Sequence, residues 1–128
     1  ELSKDNVKLA KSFFERAGVI HLINLIEENA LDYLKQTQLK YDFIFLDADK
    51  EDYPDYLDLT INHLMPGGIL LVDNLLWKGY VSCKEVPDEY KKSTEFIRKF
   101  NAKFLNHPQL KSTILTIGDG LGLGIKLK

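Results

Sequence analysis

Asp47, Asp73 and Asn74 are the residues of this chain whose types and spacing could do chemistry together. Asp47 opens the run Asp47-Ala48-Asp49-Lys50 directly after Phe43-Ile44-Phe45-Leu46, and Asp73-Asn74 directly follows Ile69-Leu70-Leu71-Val72. Each apolar run has the length and composition of a buried strand, so each set of oxygen donors stands where a strand leaves a sheet. Open α/β sheets bind ligands at those carboxyl ends, because loops and helix N-termini converge there. Two carboxylates and one amide oxygen suit a hard divalent cation such as magnesium, manganese or calcium. Lys50 adds an amine beside them. Singly the motifs are weak: an Asp after a strand also caps turns, and a loop lysine is ordinarily a solvated one. In this combination they point to metal-assisted chemistry.

The elements that must position these residues alternate between helical and strand patterns, which is the mark of an α/β fold with a largely parallel sheet. Residues 3–17 place Val7, Ala10, Phe14 and Ala17 on one helical face, with Ser3 as N-cap and Gly18 as the stop. Leu22-Ile23-Asn24-Leu25-Ile26 reads as a short strand, and residues 30–35 as a short helix. Residues 41–46 are nearly all apolar, as expected of a strand covered on both faces. Asp52 is placed to cap a helix over residues 53–64 that tolerates Pro54 in its first turn and buries Leu57, Ile61 and Leu64. Met65-Pro66-Gly67-Gly68 ends that helix ahead of the strand at residues 69–72. Phe96, Ile97, Phe100 and Phe104 form the core stripe of a long helix over residues 88–105. Residues 113–117 and 123–127 flank Gly118-Asp119-Gly120-Leu121-Gly122 as an antiparallel hairpin.

Composition narrows the function classes. The 128 residues suffice for one domain with a real core, and repeats and low-complexity linkers are absent. A formal charge of -2 with scattered lysines provides no footprint for nucleic acid. No apolar stretch reaches the roughly 20 residues of a membrane helix, and the first residues lack the apolar run of a signal peptide. The single cysteine, Cys83, excludes an internal disulfide framework. A reducing, cytoplasmic setting is the expectation.

The segment Tyr41-Asp42-Phe43-Ile44-Phe45-Leu46-Asp47-Ala48-Asp49-Lys50-Glu51-Asp52-Tyr53 resembles the hallmark of the cation-dependent O-methyltransferases of the caffeoyl-CoA and catechol types. Pro66-Gly67-Gly68, Asp73-Asn74-Leu75-Leu76-Trp77-Lys78-Gly79-Tyr80-Val81, Ile23-Asn24-Leu25-Ile26-Glu27 with Ala30-Leu31, and Gly118-Asp119-Gly120 continue the resemblance. It implies a Rossmann-like methyltransferase sheet, mostly parallel with a C-terminal antiparallel hairpin. It also implies S-adenosylmethionine and a divalent cation as cofactors, a small phenolic substrate with vicinal hydroxyls, and a homodimer. Asp47, Asp73 and Asn74 resemble the family's metal ligands, and Lys50 its general base. Glu1 matches the acidic residue that binds the ribose hydroxyls, Ala30 a backbone contact to adenine, and Asp47 and Asp49 further cofactor contacts. Trp77 and Lys78 match the substrate side.

Two departures accompany the resemblance. The family's first strand and the Gly-rich loop that cradles the cofactor have no counterpart in this chain, so a partial domain with poor cofactor binding is expected. The segment Glu89-Tyr90-Lys91-Lys92-Ser93 keeps charge but loses much of the aromatic character of the segment that recognises a CoA ester in plant enzymes. A catechol-like phenol or a flavonoid is therefore as reasonable a substrate as a CoA thioester. Three other readings stand beside this one. A metal-dependent glycosyltransferase would use Asp47-Ala48-Asp49 but leave Asp73-Asn74 unexplained. A phosphoacceptor receiver domain would need its Met-Pro pair much nearer Asp47 than Met65-Pro66. A non-catalytic α/β fragment would keep only a pairing or binding surface.

Overall fold

In the computed structural model, which describes residues 1–128, the chain forms two compact units, Glu1–Thr37 and Gln38–Lys128. The first unit holds α1 (Lys4–Arg16), a 3-10 turn at Ile20–Leu22 and α2 (Ala30–Gln36). Ser3 caps α1 by accepting the Asn6 amide at 3.3 Å, and Gly18 leaves the helix at φ +69°. Asn29 caps α2 by accepting the amides of Leu31 and Asp32. The strand expected at residues 22–26 does not form: Ile23 is extended, but the segment joins no ladder. A strand is a pairing, and local β-propensity cannot supply the partner edge.

The second unit is built on a mixed four-stranded sheet of order β1-β2-β4-β3. Its strands are β1 (Tyr41–Leu46), β2 (Leu64–Val72), β3 (Leu110–Leu115) and β4 (Leu121–Lys126). Between them run α3 (Tyr53–His63) and α4 (Asp88–Leu105). β1 and β2 are parallel, joined by the crossover through α3, whereas β4 pairs antiparallel with both β2 and β3. Parallel pairing is thus confined to the strand pair that carries the acidic ends. The expected break at Met65-Pro66-Gly67-Gly68 is absorbed inside β2: Tyr41 pairs with Leu64 but Phe43 with Ile69, so the intervening residues bulge out.

α3 and α4 cover one face of this sheet. Leu57, Ile61, Leu70, Val72, Ile97 and Phe104 are fully buried there. The Phe104 ring lies over the bare backbone of Gly122 and Gly124 and stacks on Phe100 at 5.7 Å between centroids. Phe96, expected in this stripe, is only half-buried and carries Lys92 over its ring instead. The other face contradicts the expectation of a doubly covered β1: Phe43 and Phe45 are 52% and 53% exposed. Phe43, Ile69 and Ile125 stand in one cross-strand row on that face. Asp52 occupies the N-cap position of α3 but makes no side-chain capping bond, because its backbone is already helical (φ −90°, ψ −9°). At the other end Lys126 donates to the carbonyls of Ile61 and Leu64, and Lys40 to that of Asn62. These cations satisfy the terminal acceptors of α3, a favourable place for positive charge.

Candidate active site

The parallel register pairs Leu46 with Val72, so Asp47 and Asp73 leave the sheet side by side. The ladder extends one step further, with the Asp73 amide donating to Leu46 O at 3.1 Å. Asp73 is half-buried, and its Oδ1 accepts the Asn74 amide at 2.7 Å. That bond accompanies a sharp change of direction, for Asn74 has φ +62°. Asparagine is among the few non-glycine residues that tolerate this left-handed region. Asp47 is exposed, and its Oδ1 meets Lys50 Nζ at 3.1 Å.

Lys50 is the more protected partner of that pair, with 11% side-chain exposure against 52% for Asp47. Its ammonium also donates to Tyr53 Oη at 2.5 Å, and Tyr53 Oη donates onward to the Asp73 carbonyl at 3.0 Å. Tyr53 is fully buried, its ring tilted against that of Phe100 with centroids 5.1 Å apart. Burial first, then the charges of Asp47 and Asp73, push its hydroxyl far above the ordinary tyrosine range. It therefore stays a neutral hydroxyl that links the β1 end to the β2 end. The sequence pattern gives no sign of this role, since an aromatic at the start of a helix ordinarily packs; the Tyr53 hydroxyl finds Asp73 only through the fold.

The loop after β2 carries the remaining residues of the second unit's site. Trp77 Nε1 donates to Ser93 Oγ at 3.0 Å, and its ring meets Tyr90 edge-on. Lys78 Nζ donates to Tyr90 Oη at 2.9 Å and lies over the same ring; that hydrogen bond raises the lysine's pKa. Tyr80 stacks on Tyr90 at 5.1 Å. The aromatic character that looked depleted around Glu89-Tyr90 is thus supplied by Trp77 and Tyr80 from another segment. Arg98 fixes the loop's far end by donating to the carbonyls of Tyr80, Val81 and Cys83.

The structure therefore brings together Asp47, Lys50 and Asp73, with Asn74 next in the chain and Trp77 and Lys78 on the same loop. Asp49 is exposed in the turn between Asp47 and α3, where its carbonyl accepts the Asp52 amide at 3.0 Å. Glu1 and Ala30 belong to the first unit. Glu1 accepts the Ser3 amide at 2.8 Å, a bond that lowers its pKa, and Ala30 opens α2 on the exposed side. No group of three or more His, Cys, Asp or Glu side chains gathers as a metal centre. The donor set is instead two carboxylates on adjacent strand ends and the carboxamide that follows. That chemistry fits a hard, oxygen-seeking cation that keeps positions open for other ligands.

Comparison with known proteins supplies independent information. The family model described as O-methyltransferase matches residues 1–127. Caffeoyl-CoA O-methyltransferase 5 of Nicotiana tabacum is 31% identical over 134 residues, covering 96% of this chain and 55% of the relative. The flavonoid 3',5'-methyltransferase of Vitis vinifera is 32% identical over 129 residues, covering 94% of this chain and 55% of the relative. Among solved structures, the O-methyltransferase from Bacillus cereus in complex with SAH superposes with a TM-score of 0.84 at 28% identity, covering 98% of this chain and 60% of that one. The chain spans about half to three-fifths of the length of these proteins.

Proposed function

Because this chain belongs to the O-methyltransferase family, we propose that it carries the ion- and substrate-binding side of a cation-dependent O-methyltransferase acting on a vicinal dihydroxy aromatic. S-adenosylmethionine is the methyl donor in this reading, and the tobacco, grape and Bacillus relatives support it by their own named activities and bound SAH. The observation that carries the cation is the pairing of Leu46 with Val72, which sets Asp47 beside Asp73 at the open end of a parallel strand pair.

Asp47, Asp73 and Asn74 are the residues that would hold the cation. A divalent ion held there would supply positive charge that eases loss of a proton from a phenolic hydroxyl. Lys50, after its ammonium has given up one proton to solvent, is the residue positioned to receive the hydroxyl proton, with Asp47 and Tyr53 fixing its amine. Positioning then does most of the remaining work, since a methyl transfer needs the attacking oxygen and the methyl carbon in line. Trp77, held by Ser93, and Lys78, held by Tyr90, border the substrate side. Glu1, Ala30, Asp47 and Asp49 are assigned to the cofactor on the family resemblance. A homodimer in a cytoplasmic setting completes the reading; no helix is long and apolar enough to cross a membrane.

The test is methyl transfer from labelled S-adenosylmethionine to a panel of catechols, flavonoids and caffeoyl esters, run on the native polypeptide with and without chelator. Transfer to vicinal diols that chelator abolishes and magnesium or manganese restores is the expected result. Chelator-insensitive transfer sinks the cation, and UDP-sugar turnover in its place would favour the glycosyltransferase reading.

Tyr53→Phe isolates the hydroxyl from the ring. The ring keeps its tilted contact with Phe100, so the fold is expected to survive, while Lys50 loses one of its two named partners. We expect kcat to fall by about tenfold, on the order of one lost hydrogen bond to a charged group, with KM for the cofactor unchanged. Steady-state kinetics with a thermal melt checks this, and an unchanged kcat would remove Tyr53 from the machinery.

A further inference from the structure

The loop that follows Asp73 has an unusual backbone. Asn74, Trp77 and Lys78 are all non-glycine residues with positive φ, at +62°, +48° and +55°, and Gly79 continues at +80°. Such residues are strained, and they persist only where the surroundings over-determine them. Here the determination comes from the turn between β3 and β4. Gly120 O accepts the Leu75 amide at 2.9 Å, Asp119 O accepts the Leu76 amide at 2.8 Å, and Asp119 Oδ1 accepts the Lys78 amide at 2.6 Å. α4 holds the same loop from its other side, with Asn101 Nδ2 donating to Leu75 O at 2.8 Å.

An aspartate in a hairpin turn ordinarily bonds its own backbone two residues on. Asp119 instead reaches 41 residues back along the sequence, to a left-handed residue. Its neighbour Gly120 shows how close the approach is: a Cβ there would lie 2.5 Å from Leu76 Cγ and 2.6 Å from Leu76 N. The turn is therefore shaped to clasp the loop.

We propose that Asp119 is a positioning residue for the cation site, its carboxylate and carbonyl holding the left-handed loop that presents Asn74 and Trp77. The proposal rests on the cation reading given above and adds to it a residue distant in sequence that touches neither ion nor substrate. It acts by fixing Leu76 and Lys78, and so the path of the chain out of Asp73-Asn74.

The experiment is a Mn2+ titration of the native polypeptide, read by the electron paramagnetic resonance of free Mn2+, alongside hydrogen exchange at residues 75–78. Asp119→Ala is expected to weaken Mn2+ binding by about tenfold or more, the scale seen when a partner that orients a metal ligand is lost. The Lys78 amide should exchange faster in the same variant. Asp119→Asn keeps an acceptor oxygen in place and should bind Mn2+ within about threefold of the parent. Asp119→Ala binding Mn2+ as the parent does, while Asp47→Ala abolishes binding, would overturn the role of Asp119 and leave the cation reading intact. Equal losses in Asp119→Asn and Asp119→Ala would overturn the hydrogen bond as the cause. A parent that binds no Mn2+ would overturn the cation reading and this proposal with it. If Asp119→Ala is unfolded in a thermal melt, Asp119→Gln, whose longer arm misplaces the acceptor, replaces it with the same expected loss.

Discussion

Replacing Asp47 by alanine is expected to cost at least about a hundredfold in cation-dependent methyl transfer, the loss of a direct ligand exceeding that of a supporting residue. The fold should stand. Asp47 is half exposed and its named side-chain contact is the ion pair with Lys50, so no core contact goes with it, and exposed pairs contribute little to stability. Asp73 is a poorer choice for this test, because its Oδ1 also holds the Asn74 amide and its loss would disturb the chain path directly. Asp47→Asn keeps the shape and one oxygen donor while removing the charge, and should fall between parent and alanine. Activity is measured against added magnesium, with the thermal melt as control. Full activity in Asp47→Ala with an unchanged melt would exclude Asp47 from the ion site.

Lys50 makes the same variant informative in a second way. In the parent its ammonium bridges Asp47 and Tyr53; in Asp47→Ala only Tyr53 remains of those partners. A site that needed Asp47 only to hold Lys50 would turn over more slowly but keep the parent's magnesium dependence and stay chelator-sensitive. A site that needs Asp47 for the ion would require far more magnesium to reach half-maximal activity. The two roles of one carboxylate are separable by that comparison.

Where the two acidic strand ends fall could be read from the chain, for a physical reason. An apolar run of strand length that ends in a carboxylate marks a strand leaving a covered sheet, and both Leu46-Asp47 and Val72-Asp73 obey it. Of the stripe expected on α4, Ile97, Phe100 and Phe104 are buried as the helical period requires, whereas Phe96 is only half-buried. What escaped depended on partners. The segment at residues 22–26 has strand composition but joins no ladder. Phe43 and Phe45 look buried by composition, yet which face of β1 is covered is decided by where α3 and α4 lie. The contacts of Tyr53 with Asp73, and of Asp119 with Lys78, join residues 20 and 41 apart. Of the three non-glycine residues at positive φ, Asn74 alone is of a type enriched there, whereas Trp77 and Lys78 are not.

Phe104→Ala is expected to cost about 3–5 kcal/mol of stability, the range for emptying a large aromatic site. Phe104 is fully buried at the end of α4, and it joins that helix to the hairpin that holds the loop after β2. Small domains are stable by only about 5–15 kcal/mol, so this one ring carries a large share. The glycines beneath it supply a sharper test than the single substitution. A Cβ on Gly124 would stand 3.1 Å from Phe104 Cε2 and 3.3 Å from Leu110 Cδ1. Gly124→Ala should therefore destabilise the parent, because a ring pressed on by helix and strand cannot retreat easily. In the Phe104→Ala background the ring is gone and only a flexible leucine methyl opposes the new methyl group, which then fills part of the void. The two changes should couple favourably by about 1–2 kcal/mol in a double-mutant cycle followed by urea unfolding. Strict additivity would mean that Phe104 does not sit on the bare backbone of β4, and that the glycines of that strand answer to some other constraint.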